Sequence, residues 1–134
     1  MKALFDTNVL LAAFLTEGIC SKLLLRARKG QFHLVTCPFV LDEFERILSK
    51  KFAATKQEKE NALAIIAEAT QVTVQPSEIL SGVCRDKDDE IVLSCALAGS
   101  VDYLVTGDKD LLVLKIFRGI PIITPRDFEL LFDS

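Results

Sequence analysis

Ala3-Leu4-Phe5-Asp6-Thr7-Asn8 is the stretch on which the fold turns. A short, wholly apolar run stops at an acid, and Val9 to Leu15 continues as a helix opening after a polar cap. The same alternation of brief apolar run and longer helical segment repeats along the chain. Ser21 to Lys29 predicts a second helix, ended by Gly30, and His33-Leu34-Val35-Thr36 a second strand. Pro38, suited to a first helical turn, starts a helix running to about Lys50. Thr55 to Ala69 reads as helix and Val72-Thr73-Val74 as a third strand, cut off by Pro76. Asp86 to Ala98 is a nearly all-apolar helix behind an acidic first turn. Tyr103 to Thr106 is the fourth strand, Pro121-Ile122-Ile123 the fifth, and Pro125 opens a last helix through Phe132. Short, continuously apolar strands separated by helices predict an α/β fold: three layers, α/β/α, around a central, mostly parallel five-stranded sheet. Residues 1–134 read as one domain, with no repeat, linker or low-complexity segment.

Composition narrows the class. Half of the 134 residues are hydrophobic and 26% are charged, which excludes a disordered chain. No apolar run approaches the ~18 residues of a membrane span, and the start of the chain lacks a secretory signal pattern, so a cytoplasmic protein is expected. Cys20, Cys37, Cys84 and Cys95 have no CxxC spacing, and His33 is the only histidine. Free thiols in a reducing compartment fit this pattern better than a disulfide framework or a zinc site. The formal net charge of -3 argues, at face value, against a nucleic-acid partner.

The acids, however, are not scattered. In a parallel α/β sheet, ligands bind in the crevice outside the carboxyl ends of the strands. Asp6 follows the first strand directly, and Asp108 follows the fourth after Thr106-Gly107. Asp86, Asp88, Asp89 and Glu90 crowd the start of the helix that precedes the fourth strand. In the helix after the second strand, Val40, Leu41, Phe44, Ile47 and Leu48 form one apolar stripe at about 100° per residue. Asp42 points away from that stripe, whereas Glu43 borders one edge and Glu45 the other, leaving two candidates. Each acid taken singly has a structural explanation: helix capping for Asp86–Glu90, turn formation for Asp108 and Asp110, solvation for Glu43. Asp6 is the exception, since an acid directly after an apolar first strand has little local reason to be there. Carboxylates gathered in one crevice repel unless a cation compensates them. Oxygen ligands without histidine or cysteine select Mg²⁺ or Mn²⁺. One such ion, or two about 4 Å apart, can activate water and stabilise a phosphoryl transition state without a histidine base.

Leu4-Phe5-Asp6-Thr7-Asn8-Val9-Leu10, Glu43 in the Val40–Leu48 helix, Asp89-Glu90-Ile91-Val92-Leu93-Ser94-Cys95-Ala96-Leu97 and Leu104-Val105-Thr106-Gly107-Asp108-Lys109-Asp110-Leu111 occur in an order that resembles the PIN-domain family. That superfamily of metal-dependent ribonucleases includes the VapC-type toxins. The resemblance spans essentially the whole chain. It implies that Asp6, Glu43, Asp89 and Asp108 form a metal-binding, catalytic acidic quartet for one or two Mg²⁺ or Mn²⁺ ions. Asn8 and Thr106 would be polar supports. Asp86 would be the helix cap, with Asp88 and Asp110 as alternatives to, or supplements of, a ligand. The implied activity is endoribonucleolytic cleavage of single-stranded RNA. A homodimer and an antitoxin protein are the implied partners, if the chain is toxin-like.

Two clusters offer phosphate contacts: Lys50, Lys51 and Lys56, or Arg26, Arg28 and Lys29. Competing functions fit less well. A receiver-like signalling domain needs a phospho-acceptor Asp after the third strand and a Lys after the fifth, where Gln75-Pro76 and Thr124-Pro125 stand. A haloacid-dehalogenase-type phosphatase needs a second Asp where Asn8 stands. A non-catalytic RNA- or protein-binding module of the same fold is the remaining alternative. With four of the 19 acids assigned to a metal, the rest of the chain is close to neutral, and the net charge no longer excludes RNA.

Overall fold

The computed structural model describes residues 1–76 and 78–132. Its elements follow one another as β1 (Lys2–Phe5), α1 (Thr7–Leu15), α2 (Ile19–Arg28), β2 (His33–Thr36), α3 (Pro38–Phe52), α4 (Lys56–Ala69) and β3 (Thr70–Thr73). The second half adds α5 (Lys87–Ala98), β4 (Tyr103–Val105), α6 (Lys109–Leu112), β5 (Ile116–Phe117), β6 (Ile120–Ile123) and α7 (Pro125–Leu130). The strands form a six-stranded sheet in the order β3-β2-β1-β4-β6-β5. All neighbours are parallel except β5 and β6, which form an antiparallel hairpin.

Local chemistry accounts for the boundaries. Asp6 caps α1, its side chain accepting from the Val9 amide at 3.1 Å. Pro38 occupies the first turn of α3, where its missing N–H leaves no bond unmade. A reciprocal pair of hydrogen bonds between Thr55 and Glu58 starts α4. The expected sheet of five strands gains β5, a two-residue strand too short to carry a periodic signal. It is joined to β6 by Arg118 and Gly119, both with positive φ, the turn geometry whose twist suits a two-residue hairpin. Helix α6 is likewise a single turn, in a segment that reads as a loop from its residue types.

The chain leaves β1 in two directions. β2 and β3 lie to one side, and β4, β6 and β5 to the other. The reversal of order falls between β1 and β4, and a crevice opens at such a switch point beyond the carboxyl ends of the strands. Phe5 and Val105, the paired last residues of β1 and β4, are both buried. Beneath the crevice, Leu4, Phe5, Val35, Leu104 and Val105 are almost wholly excluded from solvent and fix the strand ends in place. Helix α5 packs close enough to β2 that a Cβ added at Gly99 would lie 2.8 Å from Val35 Cγ1. All four cysteines are free thiols, with Cys37 and Cys95 buried. Among the described residues, no single helix is long and apolar enough to cross a membrane.

Candidate metal centre

Four elements deliver carboxylates to the switch point. Asp6 directly follows β1 and caps α1, Glu43 lies in the second turn of α3, Asp89 in the first turn of α5, and Asp108 caps α6 just after β4. All four line one cavity of about 170 Å³, together with Thr7, Asn8, Asp86 and Asp88. No histidine or cysteine lines it. On α3, Glu43 lines this cavity, while Asp42 and Glu45 line another, between α3, α4 and β3.

Threonines organise the acids. Thr106, fully buried, donates from its hydroxyl to Asp6 Oδ2 and accepts the Asp108 backbone N–H at 3.0 Å. One side chain thus ties the loop after β4 to the acid after β1. Thr7, buried at the first position of α1, donates to Glu43 Oε1 and links α1 to α3. Thr7 was not singled out by the sequence, because only the crossing of α1 and α3 reveals what its hydroxyl reaches. Asn8 is exposed at the cavity rim, and no hydrogen bond joins it to a carboxylate among the described residues. Asp86 is the cap of α5, accepting from the Asp88 amide at 2.9 Å.

Ligand atoms of Asp89, Asp108 and Asp110 all lie within 4.8 Å of one another. Asp110 therefore joins Asp89 and Asp108 in the tightest group, while Asp6 and Glu43 approach the same cavity from the side of α1 and α3. The electrostatics match this crowding. Burial, then the charge of Asp108 and a hydrogen bond with it, push the Asp89 carboxyl up to about 7. Burial also pushes Asp6 up to about 6, although the Thr106 hydroxyl and the Val9 amide pull it down. Asp6 and Asp89 hold their protons first because burial disfavours the charged form and second because neighbouring carboxylates repel it. A hard divalent cation bound by oxygens meets the same demand more fully than a proton, and this donor set suits one.

Two members of the basic clusters, Arg26 and Arg28, have other partners. Arg26 pairs with Glu129, its guanidinium lying 4.8 Å from the centroid of the Phe132 ring, and Arg28 pairs with Glu68 at 3.6 Å. Both sit near the end of α2, before β2 begins, and so toward the amino ends of the strands, opposite the crevice. Lys51 lies nearer, sharing a shallow groove with Asn8 and Ile47.

No curated protein matches the chain. Among solved structures, a chain of VapBC2 from Rickettsia felis, crystallised bound to a DNA fragment from the VapBC2 promoter, is similar with a TM-score of 0.67. The alignment covers 92% of this chain and 98% of that one at 17% sequence identity, a likeness of fold. A family model described as the PIN domain matches residues 2–110, a span that contains every acid of the crevice. By its sequence, its sheet order and the placement of its carboxylates, the chain belongs to the PIN domain family.

Proposed function

We propose that residues 1–134 form a single nuclease domain that cleaves phosphodiester bonds of single-stranded RNA with one or two Mg²⁺ or Mn²⁺ ions. The observation that carries this reading is the cavity that gathers Asp6, Glu43, Asp89 and Asp108 from four separate elements without a histidine or cysteine among them. Asp89 and Asp108, with Asp110 beside them, would hold the ion, and Asp6 and Glu43 would complete its ligand set or position its water. When bound, the ion supplies activation of a water molecule and neutralisation of charge on the phosphoryl group in flight. The chain supplies the geometry. Thr106 holds Asp6 and the Asp108 loop at a fixed separation, and Thr7 holds Glu43 against α1. Asn8, at the rim, would be a polar support in contact with ion-bound water. The further reading proposed is a VapC-type toxin acting in the cytoplasm, with an antitoxin protein as inhibitor and a homodimer as assembly; what supports it is the PIN domain match and a fold shared with a chain of VapBC2.

The test is cleavage of single-stranded RNA in the presence and absence of Mn²⁺ by the wild type and Asp108→Asn. Cleavage is expected only from the wild type and only with the metal. Mn²⁺-dependent thermal stabilisation without cleavage would instead indicate a non-catalytic binding module.

A further inference from the structure

Two arginines pair with acids of the site, one from α3 and one from the segment before α5. Arg46, on α3, places Nη2 3.7 Å from Glu43 Oε2. Arg85, just before α5, places Nη2 2.7 Å from Asp110 Oδ1. They are the cations paired with crevice carboxylates among the described residues. Arg85 is the more telling. Its side chain is 86% exposed, and Asp110 is its one hydrogen-bond partner among the described residues. That partner belongs to the group whose oxygens lie within 4.8 Å of one another. The guanidinium therefore competes with any metal ion for the third carboxylate of the cluster.

The competition is uneven. An exposed ion pair is weak, whereas a divalent ion brings twice the charge to the same oxygens at a shorter distance. A guanidinium freed from Asp110 retains a rigid fork of donors whose spacing matches two phosphate oxygens. We propose that Arg85 is a substrate-binding residue gated by the metal: it compensates Asp110 until a divalent ion takes up that charge, and then donates to a phosphate of the RNA backbone beside the crevice. The inference rests on reading the crevice as a metal-dependent RNA-cleaving site. It assigns an order, metal before RNA, and a positive coupling between the two.

The coupling is tested without turnover by measuring single-stranded RNA affinity in EDTA for a four-protein cycle: wild type, Arg85→Gln, Asp110→Asn and the double variant. Arg85 is exposed and Asp110 is its one side-chain hydrogen-bond partner among the described residues, so its replacement is expected to leave the fold intact. In EDTA, wild type and Arg85→Gln are expected to bind alike. Asp110→Asn is expected to bind about tenfold more tightly than the double variant, the low end for one charge-assisted hydrogen bond. With Mn²⁺ present, Arg85→Gln is expected to raise KM about tenfold while Mn²⁺ affinity, by calorimetry, is unchanged or tighter. The logarithmic salt slope of 1/KM should fall by about 0.7, one phosphate contact on a single strand. Equal RNA affinities of Asp110→Asn and the double variant in EDTA would overturn the proposal, as would a wild-type KM for Arg85→Gln. If the wild type neither binds Mn²⁺ nor cleaves RNA, the nuclease reading falls and this proposal with it. If the wild type does both and the cycle shows no coupling, this proposal alone falls.

Discussion

Phe5 and Asp6 are consecutive residues, both buried, and they belong to opposite kinds of environment. The Phe5 ring lies 5.6 Å from that of Phe32 and 6.0 Å, edge-on, from that of Phe128, in a cluster that extends to Tyr103 and Phe132. Every member there gains from its neighbours, through excluded water and favourable ring edges. One residue further, Asp6 faces carboxylates that repel it, and burial raises its pKa to about 6. The aromatic side is satisfied as it stands. The acid side is satisfied only by something added, and that difference separates what holds this fold together from what it is for.

The largest effect expected on the aromatic side is from Phe128→Ala. Phe128 is fully buried and touches the rings of Phe5, Phe32, Tyr103 and Phe132. Its truncation should lower the unfolding free energy by about 3–5 kcal/mol, measured by urea denaturation. Mn²⁺ affinity of the folded fraction should be retained, and a parallel loss of Mn²⁺ affinity would break the separation. Asp6→Asn is the converse. Asparagine can still cap α1 through the Val9 amide, so the fold should persist and metal-free stability should hold or rise. Metal-dependent cleavage should fall by more than about 100-fold, beyond what loss of an outer-shell partner causes.

A titration sharpens the contrast. The folded Asp6 and Asp89 carboxyls keep their protons to about 6 and about 7, whereas in the unfolded chain they lose them near 3.8. Between those limits the folded state binds more protons than the unfolded one, so these groups make stability fall as pH rises from about 4 to 7. Relative to Asp6→Asn, the metal-free wild type should therefore lose melting temperature across pH 4 to 6. Since ligands bind metal deprotonated, stabilisation by Mn²⁺ should grow from pH 5 to pH 8. A metal-induced shift in melting temperature that ignores pH over that range would mean that these acids do not face the ion.

What the residues alone disclose follows the range of the forces involved. Parallel strands, capped helices and the acids at strand ends are local patterns and were legible, whereas the order β3-β2-β1-β4-β6-β5 depends on contacts between distant segments. The third strand starts earlier than its apolar residues indicate, at Thr70, because the end of α4 runs directly into it. Strand β5 exists because a two-residue turn folds it onto β6, a pairing that no periodicity announces. At the site, the four acids carried over from the family pattern line one cavity, and periodicity had already narrowed α3 to Glu43 or Glu45. Of the partners of those acids, Thr106 was implied as a polar support and does donate to Asp6, but the others were not legible. Arg85 and Asp110 are 25 residues apart, and Thr7 and Glu43 are 36 apart. Such pairs depend on how helices cross.

Thr7 offers the smallest and most discriminating test of the division between the two sides. Its hydroxyl is buried and donates to Glu43 Oε1, so it serves the acid side from within a packed position. Thr7→Val keeps the shape and removes the donor. Glu43, partly accessible and with Arg46 3.7 Å from its other oxygen, is not left stranded, so stability should change by only about 1 kcal/mol. Its carboxylate would lose the bond that fixes its rotamer. Mn²⁺ affinity should then fall about tenfold, as for the loss of an outer-shell partner, and Thr7→Ser should restore most of it. If Thr7→Val instead behaved like a core substitution, losing stability with no change in metal affinity, the hydroxyl would belong with Phe5 rather than with Asp6. The boundary between the two regions would then run through α3 instead of along the end of β1.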